Sequence, residues 1–78
     1  GTAAWGVKLE HILRNVILTL LDQPQTSFSD IIKILTDDVF RMRCMQNVVT
    51  EEVKNFWKNE FSKFSKSDIL PVLNKVGS

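Results

Sequence analysis

The stretch WGVKLEHILRNVILTLLD, residues 5–22, decides the fold. Trp5, Leu9, Ile12, Leu13, Val16, Ile17, Leu20 and Leu21 recur at steps of three and four, the spacing of one face of an α-helix. The other side reads Lys8, Glu10, His11, Arg14, Asn15, Leu18 and Thr19. A helix over residues 5–21 follows, with its apolar stripe turned to a core.

Working outward, Gln23-Pro24-Gln25 ends that helix, because the residue before a proline avoids the α region. Ser27 and Asp30 form an S-x-x-D capping box for a second helix from about Phe28 to Leu35, expected to bury Phe28, Ile31, Ile32 and Leu35. Thr36 is expected to cap a third helix, with Asp37 and Asp38 in the positive field of its first turn. Its inner face reads Phe40, Cys44 and Val48, flanked by Val39 and Met45. Thr50 then opens a fourth helix, whose stripe is Val53, Phe56, Trp57, Phe61 and Phe64. Ser65 with Asp68 caps a fifth, with Ile69, Leu70, Leu73 and Val76 turned inward. Pro71 lies downstream of that box, so one helix kinked at the proline is expected rather than a new start. No segment alternates like a strand, and the fold class is all-α, a small bundle of five short helices within one domain, residues 3–77.

The totals agree. Seventy-eight residues leave room for one core, and 44% hydrophobic residues are too many for a disordered tail. A single cysteine excludes an internal disulfide framework and fits a reducing compartment. The net charge of +1 gives no overall pull toward nucleic acid or membrane. Thr19 cuts the run Val16–Leu18, so nothing nears the roughly 20 apolar residues of a membrane span. The start at Gly1-Thr2 reads as that of a piece taken from a longer chain.

Chemistry is sparse. Three glycines, Gly1, Gly6 and Gly77, cannot build a phosphate-cradling loop, and His11 with Cys44 is too few ligands for a zinc site. Asp37-Asp38 and Glu51-Glu52 are explained by first-turn dipole complementation rather than acid–base work. Catalytic, cofactor and metal sites are therefore not expected. Two surfaces carry the remaining signal. Lys54, Lys58, Lys63 and Lys66 form a candidate phosphate-contacting patch, with a solvated helix face as the plainer reading. His11, Arg14, Asn15 and Leu18 form a stripe on helix one turned away from its core stripe, suited to docking on another domain. Ile34, Met42 and either Met45 or Val39 are left over once a core is assigned, which favours a covered surface somewhere.

Several of these residues resemble a known family. Trp5-Gly6, the run Leu9-Glu10-His11-Ile12-Leu13-Arg14-Asn15, Leu35-Thr36-Asp37 with Phe40-Arg41, Phe56-Trp57 with Glu60-Phe61, and Pro71 before Leu73-Asn74-Lys75-Val76-Gly77 resemble the all-α insertion domain of type IV secretion and conjugative coupling-type ATPases, within the FtsK–HerA superfamily. Lys8 stands where relatives carry an arginine, a change that keeps the charge. In that family the all-α domain interrupts a RecA-like motor and sits at the cytoplasmic mouth of a hexameric ring. The resemblance implies an adaptor with no ATPase residues of its own, recognising a relaxosome component or secreted protein cargo. DNA binding through the lysines is the alternative. It also implies a cytoplasmic location, at the inner face of the membrane through the parent, and chain ends that return to one motor. Trp5, His11, Arg14, Asn74 and Lys75 would then touch the motor, with Asn15 and Leu18 continuing the docking stripe.

Overall fold

The computed structural model describes residues 6–77, and all of the regular structure among them is helical. α1 spans Val7–Leu21, α2 Asp30–Thr36, α3 Asp38–Met45 and α5 Lys66–Gly77. Between them, α4, Glu51–Asn55, runs without interruption into a wide π-helical turn, Phe56–Glu60, and a closing 3₁₀ turn, Phe61–Lys63. The five-helix, all-α expectation holds.

α1 is the central strut, packing against α2, α3, α4 and α5. Leu9, Ile12, Val16 and Leu20 from its predicted stripe are buried, and they meet Leu35, Cys44, Val48, Val53, Phe56 and Trp57 in one core. Two stripe residues, Ile17 and Leu21, stay largely outside. Trp5 lies outside the described residues.

Four local expectations are corrected. Phe28 is 69% exposed, because α2 begins at Asp30 and Phe28 sits in the turn before it. Ile34, left over in the sequence reading, is wholly buried instead. Thr36 does not cap α3: it ends α2, its hydroxyl donating back to the Ile32 carbonyl, while Asp37 takes the cap position and accepts the Phe40 amide at 3.0 Å. In α5 the fully buried residue is Val72, whereas Leu70 is 53% exposed. α5 continues through Pro71 as one helix.

The wide turn has a packing reason. Phe61 donates its amide to the Phe56 carbonyl, five residues back. That spacing brings the Phe61 ring within 5.0 Å of Trp57 and 6.2 Å of Phe56, while Phe64 lies 6.0 Å from Phe56. Four aromatic rings thus pack as one cluster in tilted and edge-on geometries.

Candidate functional site

The helix-one stripe read as a docking face turns out to be mostly internal. Asn15 is fully buried, its amide donating to the His11 carbonyl at 2.9 Å. Thr19 is also buried, donating to the Asn15 carbonyl at 2.7 Å and accepting the indole N–H of Trp57 at 2.7 Å. Gln23 continues the series, its amide donating to the carbonyls of Thr19 and Cys44 while its oxygen accepts from Asn47. A polar side chain at every fourth position therefore bonds one turn back, with Thr19 against Trp57 of the π segment and Gln23 against the end of α3.

His11 belongs to the same seam. Its Nε2 lies 2.7 Å from a Glu60 carboxylate oxygen, and its ring meets Phe56 edge-on at 5.5 Å. The other Glu60 oxygen accepts from Asn55, which in turn accepts from Asn59. Arg14 is exposed and 3.6 Å from Glu52, so it leans toward α4. Leu18 is half-buried against the core. Of the predicted docking residues, Arg14, Asn74 and Lys75 remain exposed, and His11, Asn15 and Leu18 serve the fold. α1 and α5 do pack together, with Lys8 donating to Asp68 at 3.1 Å, but the last turn of α5 is elsewhere: Gly77 lies beside Ile32 of α2.

All four patch lysines are exposed. Lys54 shares its position with Glu51, 3.6 Å away, whereas Lys58, Lys63 and Lys66 have no such acid beside them among the described residues. Arg41 was not singled out as a site residue, yet it does structural work. It donates to the Ile34 carbonyl and to Asp38, and its guanidinium stacks 4.6 Å from the Phe61 ring. Cys44 is buried in the core, and that burial, together with the negative charge of Asp30, pushes its thiol above the usual range. A raised thiol is a poor nucleophile. Among the described residues no group of three or more His, Cys, Asp or Glu side chains gathers as a metal would need.

Apolar surface is what remains. On the outside of α3, Val39, Met42, Arg43 and Gln46 follow one helical face, with Val39 68% and Met42 64% exposed. Between α2 and α5 lies a larger groove of about 410 Å³, floored by Leu35, Phe64, Ile69, Leu70 and Leu73 and edged by Lys66. The leftover Met42 and Val39 of the sequence reading are thus surface residues, while Met45 is half-buried. Leu70 could not be found from periodicity, because the stripe containing it was assigned inward as a whole.

No family model, curated protein or solved structure matches the chain. No helix among the described residues is long and apolar enough to cross a membrane. The described residues form a small all-α domain whose surface carries a groove between α2 and α5 and an exposed apolar pair on α3.

Proposed function

We propose that this chain is a non-catalytic, protein-recognising domain of a DNA-translocating, type IV secretion coupling-type ATPase. It presents helical surface to a relaxosome component or secreted cargo near the pore. The observation that carries the reading is the pair of exposed apolar patches on so small a domain, the groove between α2 and α5 and the face of α3. The ordered series of family-like motifs across the chain supplies the parentage. The packing of α1 on α5 suits an insertion leaving and rejoining one motor. On this reading the parent is a hexamer, and the domain works in the cytoplasm without entering the membrane.

The test has two arms. Nucleotide-binding motifs must flank this stretch in the intact gene product, and their absence removes the motor parentage. In that intact protein, Val39→Glu with Met42→Glu, or Leu70→Glu alone, should lower transfer of protein substrate while leaving the ATPase rate unchanged. Normal transfer by both variants would refute the recognition role.

A second reading has its own support, the exposed Lys58, Lys63 and Lys66 without neighbouring acids, joined by Lys54. As a DNA-binding module the domain would neutralise up to four phosphates. Affinity would then fall with log[salt] at a slope of about −3 to −4 and be lost on changing all four lysines to alanine. A flat salt response removes this alternative.

A further inference from the structure

We infer that the groove between α2 and α5 seats one amphipathic helix of the protein partner, its bulky apolar side chains in the groove and an acidic residue against Lys66. This rests on the protein-recognition reading above and names where recognition happens and by what chemistry. Five of the groove's eight lining residues are apolar, Thr36, Ser65 and Lys66 being the polar ones, and about 410 Å³ lies within the roughly 300–1,000 Å³ of ligand-binding clefts. Its walls are two helices, so a third helix laid between them can set its ridges into their grooves. Leu70 gives the site an anchor contact. It is more than half exposed although it adjoins Ile69, which packs on the core, and burying it on a partner removes apolar area from water.

Charge selects the partner. Lys66 stands on the rim, and no acid lines the groove. The nearest acid along α5, Asp68, is already held by the Ser65 amide at 2.9 Å and by Lys8 at 3.1 Å. An incoming carboxylate therefore meets a lysine that has not been neutralised, and an incoming cation would be repelled. The α3 face offers only two apolar residues in a smaller depression of about 330 Å³, and stands as the competitor.

The experiment is a titration of the isotope-labelled chain, followed by amide NMR. The probe is a capped helical peptide of about four turns with leucines on one face and glutamates flanking them. Saturable shifts are expected at Leu35, Phe64, Ile69 and Leu73. Leu70→Glu and Lys66→Glu, both at exposed positions, should each weaken binding about tenfold or more, with circular dichroism verifying the fold. A peptide with lysines in place of the glutamates should bind Lys66→Glu better than it binds the original chain. The groove proposal is overturned by equal binding of both peptides to the original chain, by the absence of shifts, or by saturation with decanoate that the peptide cannot displace. Shifts confined to Val39 and Met42 also overturn it, yet they leave the recognition reading standing. That reading is judged separately, by the transfer assay.

Discussion

Thr19 shows how one hydroxyl can hold two helices together. It donates to the Asn15 carbonyl and accepts from the indole of Trp57, both at 2.7 Å, in a buried setting. Replacing it by valine keeps the shape but strands the Trp57 N–H, which should cost about 1–3 kcal/mol. Asn15 is the counter-case. Its amide nitrogen is bonded, but its side-chain oxygen is buried without a partner among the described residues. Asn15→Leu removes that orphaned acceptor and should leave stability within about 1 kcal/mol of the original, or raise it. Urea unfolding with an unchanged m-value measures both. A costly Asn15→Leu beside a harmless Thr19→Val would overturn this account. His11, Asn15 and Thr19 were placed by sequence on the side of helix one turned away from the core, and Gln23 only at its end, because apolar periodicity marks just one side of a helix. α1 is covered on two sides, and its second cover both donates and accepts hydrogen bonds. The available signal was the spacing of four, at which Asn and Thr side chains bond back to the preceding turn, together with a tryptophan needing an acceptor.

Helix starts were legible in part: α4 and α5 begin as read, whereas α2 begins at Asp30 and Asp37 rather than Thr36 caps α3. Ser27-Phe28-Ser29-Asp30 and Ser65-Lys66-Ser67-Asp68 share one pattern and fold alike. In each the aspartate accepts the first serine's amide at 2.9 Å, and the two serine hydroxyls bond each other, at 3.0 and 2.7 Å. The wide turn at Phe56–Glu60 was not legible, since it shows in the ring contacts among Phe56, Trp57, Phe61 and Phe64 rather than in residue propensity. Pro71 lies between these cases. It lacks an amide to give the Ser67 carbonyl, yet α5 runs through it, with both residues exposed so that water reaches the unpaired group. Proline inside a helix is disfavoured by about 3 kcal/mol relative to alanine, partly offset by about 0.4–1 kcal/mol of stiffening in the unfolded chain. Pro71→Ala should therefore stabilise the domain by about 2–2.6 kcal/mol, seen as a raised Tm. A lowered Tm would mean that the proline itself is needed for α5 to seat Val72.

At the scale of the whole molecule, α1 touches every other helix, so whatever fixes its two ends sets the integrity of the domain. The Lys8–Asp68 pair ties its first turn to the first turn of α5. The Ser65 amide, and after it Lys8, holds the Asp68 carboxyl below its ordinary range. A carboxylate whose folded value is depressed contributes its stabilisation above its unfolded pKa of about 3.9 and loses it as pH falls through the folded value. Stability of the original chain should thus decline with acid in that window, and Asp68→Asn should flatten the decline. Asparagine still offers Ser65 an oxygen but no charge to either partner. Salt separates the two causes. Lys8 is well exposed, so its share is screened, whereas the short hydrogen bond from Ser65 is less so. Lys8→Met should accordingly abolish the salt-sensitive part of the acid response and leave most of the rest, measured as urea midpoints from about pH 2 to 5 at low and high salt. Identical acid profiles for Asp68→Asn and the original chain would show that α5 is held on α1 by apolar packing alone.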